Sequence, residues 1–220
     1  IRFIEGWTFS QLRKTLDEHP AIRHDTTGLS DREVLQLIGA SETAAEGLFF
    51  PDTYYFVRGN SDIAILKRAY RTMQNNLNIA WAGRATNLPL TDAYQALILA
   101  SIVEKETGRE SDRANIAGVF VNRLRLGMRL QTDPTVIYGL GEKFDGNLRK
   151  KDLLTDQEYN TYTRRGLPPT PIAMPGLASI QAALNPAKIG ALYFVAKGNG
   201  GSHFSNNLTD HNRAVAKYQK

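Results

Sequence analysis

The sequence predicts an α+β fold, a helical core with small antiparallel β-sheets, and three observations carry that prediction. Apolar residues between 97 and 126 recur at helical spacing, through Leu99, Ile102 and Val103 and then Ile116, Val119, Phe120 and Leu124. Helix-start signals precede several such stretches, the clearest being the capping box Ser30-Asp31-Arg32-Glu33. Two segments rich in aromatic and β-branched residues, Gly47–Val57 and Ala191–Ser205, are each divided by a turn signal. The 220 residues suffice for one large domain or two small ones, with 1–85 a possible subdomain ahead of a core over 86–220.

Ile1–Ile4 reads as a short strand. Thr8 or Ser10 caps a helix through Leu12 and Leu16 that must end before Pro20. After Ser30, Val34, Leu35 and Ile38 continue a second helix. Gly47–Val57 reads as strand, turn, strand about Pro51-Asp52. Ser61 opens a longer helix that offers Ile65, Leu66, Ala69 and Met73 to a core and stops by Gly83. Asp92 with Gln95 starts the helix through Leu97–Thr107, and Gly108 is expected to end it in left-handed geometry. Asp112–Leu126 is a further helix, with Arg113, Asn122 and Arg123 away from its buried side. Met128–Gly141 and Tyr159–Gly176 read as polar, proline-stiffened loops of the kind that line binding sites. A short helix from Ser179 ends before Pro186. Ala191–Ala196 is a strand, Gly198–Gly201 a hairpin turn, Ser202–Ser205 the returning strand, and Thr209–Tyr218 a last helix.

Composition excludes several chemistries. With no cysteine there is no disulfide, thiolate metal site or cysteine nucleophile. The four histidines form no metal-ligand spacing, no serine sits in a GxSxG elbow, and GNGG lacks the helix and Lys of a phosphate loop. A net charge of +5 without Lys/Arg runs gives no nucleic-acid signature. No stretch approaches the roughly 20 apolar residues of a membrane span. The chain opens directly on IRFIEGWTF, strand and helix already, so it is read as a fragment with an N-terminal part upstream of Ile1.

The candidate catalytic group lies in LILASIVEKET. On an ideal helix of about 100° per residue, Leu99, Ile102, Val103 and Glu106 share one face, whereas Glu104 falls at its edge and Tyr94, Ser101 and Lys105 make a narrow polar side. A carboxyl centred on an apolar face has its pKa raised, as a general acid near neutral pH requires. The competing reading is a carboxylate at a helix end paired with Arg109 or Arg113.

ASIVEKET, NRLRLGMRLQTDPTVIYGLG, YNTYTRRGLPPTPIAMPG and LYFVAKGNGGSHFSNNLTDHN, in that order, resemble the endolytic murein transglycosylases of the YceG-like (MltG) family, over essentially the whole chain. The resemblance implies a catalytic region that cleaves peptidoglycan glycan strands between MurNAc and GlcNAc, leaving 1,6-anhydro-MurNAc ends. It implies no cofactor, no metal and no nucleic acid. It also implies a place at the bacterial inner membrane facing the periplasm, with cell-wall synthesis enzymes as further partners. A membrane helix and a LysM-like region would lie upstream of Ile1, so the membrane is met only through that missing anchor.

The family's catalytic glutamate corresponds to Glu106, with Glu104 and Thr107 as supporting residues, Thr107 standing where other lytic transglycosylases carry a serine. Gln131, Thr132, Asp133, Tyr159, Asn160 and Tyr162 are the candidate groove residues. Thr170 departs from the family, whose members often carry Gly there. A muramidase would instead need a second carboxyl, with Glu104, Asp133 and Asp52 the ones to check, and a non-catalytic glycan-binding module would use the aromatic residues alone.

Overall fold

The computed structural model describes residues 1–219. Helix α4 (Ala93–Glu106) runs through the middle of the chain's core. Every residue from Ala96 to Val103 is buried. A helix apolar all round belongs inside a protein, not on its surface. It packs against α3 (Asp62–Ala82), α5 (Glu110–Arg125), α6 (Asp133–Leu140) and α8 (Leu177–Leu184). The sequence-based view of α4 as a helix with one apolar arc is therefore too narrow, and Ser101 shows why. It is fully buried, its hydroxyl donates to Ile98 O (2.7 Å) and it accepts from Ile172 N (3.0 Å), so the polar group is satisfied inside the core.

Local signals set most helix starts. Thr8 caps α1 (Phe9–Asp17) and Ser30 caps α2 (Asp31–Ile38), each in a capping box closed by Gln11 and Glu33 respectively. Ser61 caps α3, and the Asp92 carboxylate accepts from Gln95 N (2.8 Å) at the start of α4. The small α7 (Lys150–Leu154) lies in the stretch before Tyr159. At the C-terminal end, β1 (Tyr193–Ala196) and β2 (Ser202–Ser205) form an antiparallel hairpin pairing Tyr193 with Ser205 and Ala196 with Ser202. Helix α9 (Leu208–Tyr218) packs on both strands. Among the described residues no helix is long and apolar enough to cross a membrane.

Five local expectations are corrected. Ile1–Ile4 and Gly47–Val57 form no strands: Arg2 and Thr53 make an isolated bridge, flanked by Phe3 N to Asp52 O (2.9 Å) and Tyr54 N to Ile1 O (2.7 Å). The aromatic residues there act as separate anchors, with Phe49 buried and Tyr55 exposed, so no face alternates as a strand requires. Helix α4 ends through an extended Thr107 (φ −152°), whose hydroxyl accepts from Arg109 N (3.0 Å), and not through a left-handed Gly108. Residues 133–140, expected as loop, are helical, because Pro134 in the first turn needs no amide partner there. Finally, Asn122 and Arg123 of α5 are tied inward: the Asn122 amide donates to Ile189 O (2.8 Å) and Ala191 O (3.1 Å), and Arg123 is only 8% exposed.

Candidate active site

The last residue of α4 and the loop entering α6 meet at one point. Thr132 Oγ1 donates a hydrogen bond to Glu106 Oε1. Thr132 itself is buried and fixed from behind: its amide donates to Thr161 Oγ1 (3.1 Å), and its carbonyl accepts from Thr135 Oγ1 (2.8 Å). The preceding Gln131 adopts a left-handed conformation (φ 50°), which is uncommon for a residue with a side chain, and its amide is held by Thr161 O (3.1 Å). The loop is thus set against its preference to aim Thr132 at Glu106.

Glu106 opens onto a cleft of about 630 Å³ whose walls include Gln131, Asp133, Tyr162, Arg123 and Tyr193. Burial pushes the Glu106 carboxyl up to about 7; the Thr132 hydroxyl acts against that shift, Asp133 adds to it, and Arg123 opposes it. Neither Arg109 nor Arg113 pairs with it, and among the described residues Glu106 makes no ion pair. A desolvated carboxyl held by a neutral hydroxyl can start protonated near neutral pH, give its proton, and take one back.

The other predicted residues divide. Asp133 lines the cleft and accepts from the Tyr162 hydroxyl (2.5 Å), so those two form one polar edge beside Glu106. Tyr159 and Asn160 lie off the cleft. Asn160 is fully buried, its amide donates to Asp152 O, Leu153 O and Thr155 O, and its side-chain oxygen accepts from Tyr162 N (2.8 Å). It ties the loop after α7 and so sets where Tyr162 stands. Tyr159 packs edge-on against Tyr138 (4.8 Å between centroids) and shares a hydrogen bond with Thr170 Oγ1 (2.9 Å), so the departure at Thr170 supplies that tyrosine's polar partner.

Glu104 faces away, accepting from Gly176 N (3.0 Å) and Ser179 Oγ (2.7 Å) at the start of α8. Its carboxylate serves a helix N-terminus. Thr107 forms the turn beyond α4, and Asp52 is exposed in the Pro51 turn, away from the cleft.

Sequence reasoning missed two groups. Arg123, Tyr193 and His211 come from α5, β1 and α9 to line the cleft beside Glu106. Only tertiary packing brings them together, so no local pattern marks them. Glu46 is the second carboxyl that burial raises to about 7; it is 8% exposed and accepts from Phe9 N (3.0 Å) and from the Tyr138 hydroxyl (3.1 Å). The adjacent Gly47 hinted at a special place: its φ is 77°, and a Cβ there would lie 2.4 Å from Pro171.

An α+β scaffold whose central helix ends in one glutamate, on the wall of an open polar and aromatic cleft, defines a protein equipped for acid–base chemistry. The chain belongs to the YceG-like family, whose sequence profile matches residues 1–217. It is 40% identical over 173 residues to the endolytic murein transglycosylase of Bacillus subtilis (strain 168), covering 79% of this chain and 48% of that protein. It is 34% identical over 179 residues to the endolytic murein transglycosylase of Streptococcus pneumoniae (strain R6), covering 79% of this chain and 32% of that one. The chain therefore spans about a third to a half of the length of the curated relatives it matches. A crystal structure of a YceG-like protein from Listeria monocytogenes superposes with a TM-score of 0.75 at 31% identity, over 96% of this chain and 74% of that one.

Proposed function

We propose that this chain is the catalytic region of a peptidoglycan lytic transglycosylase that cuts the MurNAc-β-1,4-GlcNAc bond, with Glu106 as its only catalytic acid and base. The observation that carries the proposal is the place of the Glu106 carboxyl, on the cleft wall and held by the Thr132 hydroxyl, where burial pushes its pKa up. Family membership and the relatives' names supply the substrate class. The inner-membrane, periplasm-facing location and any cell-wall synthesis partners belong to the same proposal.

The chemistry needs one carboxyl. Protonated Glu106 delivers its proton to the glycosidic oxygen as the C1–O bond breaks and positive charge develops at C1. The 2-acetamido oxygen of MurNAc closes onto C1 from within the substrate and holds that charge. Glu106, now a carboxylate, takes the proton from the C6 hydroxyl; O6 attacks C1 and expels the acetamido oxygen. The products are a free GlcNAc hydroxyl and a 1,6-anhydro ring, and Glu106 is again protonated. The internal nucleophile acts at high effective molarity, so water is outcompeted even in an open cleft.

Asp133 is the one other carboxylate lining the cleft among the described residues, and it favours a second reading, hydrolysis by a two-carboxylate muramidase. Digestion of sacculi in heavy-oxygen water separates the two. Anhydro ends without label are expected; label at C1 of most new MurNAc ends would establish hydrolysis and end the transglycosylase reading.

A further inference from the structure

The cleft has a wall that the acid chemistry leaves unused. Arg123 lies on it, from the last turn of α5. Its Nε donates to Leu192 O (2.7 Å) and its Nη1 to Leu130 O (2.7 Å) and Arg129 O (3.3 Å), so two of its three nitrogens are fixed by backbone carbonyls. Its Cζ lies 5.0 Å from the Tyr193 ring centroid, and that ring stacks on His211 (5.1 Å, 24° between planes). Nη2 has no acceptor among the described residues and is not one of their buried unpartnered polar atoms, so this edge stays open. Arg123 is also the one Arg or Lys among the described residues lining the cleft, and it is in no ion pair with Glu106 or Asp133. Burial and the neighbouring guanidinium hold the His211 imidazole below its ordinary pKa, which leaves Arg123 as the cleft's fixed positive charge.

The open edge of a guanidinium fixed on the cleft wall can take an acceptor from a ligand, and a carboxylate or acyl oxygen is the acceptor that suits it best. Sugar hydroxyls and acetamides occur on both residues of the glycan, whereas the lactyl arm occurs only on the muramyl one. We propose that the free edge of Arg123 binds the carboxyl-derived oxygen of the lactyl arm, making it a residue that selects muramyl sugars over N-acetylglucosamine. The proposal rests on the peptidoglycan reading above. The oxygen has two sources: the free carboxylate of a strand stripped of its peptides, or the amide carbonyl of a strand that retains them. The carboxylate forms the stronger contact, because both partners are then charged.

The test is calorimetric binding to the Glu106→Gln protein, which does not turn over its ligand. Three glycans of equal length are compared: peptide-stripped strands, peptide-bearing strands and N-acetylglucosamine oligomers. Adding Arg123→Gln should weaken the stripped strand by about tenfold or more and the peptide-bearing strand by about threefold, while the N-acetylglucosamine oligomer changes by less than about twofold. Equal losses on all three glycans would mean that Arg123 only staples the cleft wall, and would overturn the inference. Because Arg123 also ties backbone, a second measurement needs no change at that position. Reducing the lactyl carboxyl of the stripped strand to the alcohol should weaken binding to Glu106→Gln by a similar factor, and undiminished binding would overturn the inference equally. Failure of all three glycans to bind, together with intact sacculi after incubation with the unaltered protein, would instead remove the peptidoglycan reading itself.

Discussion

The Thr132 hydroxyl donates to Oε1 of Glu106, joining the last residue of the central helix to the residue that precedes α6. This single contact orients the carboxyl and opposes the pKa rise that burial imposes. Thr132→Val keeps the shape and removes the donor. The expected result is a roughly tenfold loss of kcat/KM with the fold intact, since one hydrogen bond to an ionisable group is lost. Cleavage by the unaltered protein should fall as pH rises through about 7, because the acid form is consumed. In Thr132→Val that alkaline limb should move to higher pH. A limb that stays in place or moves down would show that Thr132 does not tune Glu106.

Glu104 and Glu106 lie two residues apart and should fail in different ways. Glu106→Gln cannot deliver a proton, so cleavage of sacculi should vanish while the circular dichroism spectrum, and the melting temperature near pH 5, remain native. Glu104→Ala leaves Gly176 N and Ser179 Oγ without their acceptor and should cost about 1–3 kcal/mol of stability, with cleavage per folded molecule retained. Loss of chemistry in Glu104→Ala, with substantial turnover in Glu106→Gln, would show that the wrong carboxyl had been chosen.

Asn160 and Tyr162 offer a similar contrast. Asn160→Ala removes a fully buried amide that ties three part-buried carbonyls of one loop and should lower stability by about 1–3 kcal/mol. Tyr162→Phe removes only the hydroxyl that Asp133 accepts, at the cleft edge, so it should raise KM with little change in melting temperature. Thermal melts beside initial rates on sacculi decide the matter, and matching losses of stability in both variants would make Tyr162 a structural residue as well.

What the sequence disclosed follows the range of the interactions involved. The capping box at Ser30, the cap placed at Thr8 or Ser10 and the hairpin about Gly198–Gly201 close within a few residues, so their signals are local and legible. Glu106 stood out because its neighbours at helical spacing are apolar, although α4 proves buried on every side. Asn160 and Tyr162 share one loop and one kind of polarity. Only the fold separates them, by burying one and turning the other to the cleft edge. Arg123 looked like a solvated residue on the outer side of α5, because the carbonyls of Leu130 and Leu192 that fix it arrive from later segments. The aromatic run Gly47–Val57 misled for the same reason: its side chains are anchored one by one in a core built by distant helices, which overrides strand propensity.

Glu46 lies at the far end of the helix that Thr132 introduces. Its carboxyl joins the start of α1 to Tyr138 of α6, and burial raises its pKa to about 7. The folded state therefore holds a proton that the unfolded chain has already released above its ordinary value of about 4.5. Stability contributed by this group should then fall as pH rises from about 4.5 and level off above about 7, by an amount on the order of 3 kcal/mol at most. Glu46→Gln cannot ionise. It should match the unaltered protein near pH 5 and exceed it in melting temperature at pH 8. Glu106→Gln should shift the same way, so the double variant should show the flattest dependence of stability on pH. Parallel melting curves for Glu46→Gln and the unaltered protein from pH 5 to 8 would mean that Glu46 is ionised throughout, and that the contact between α1 and α6 is a charged one.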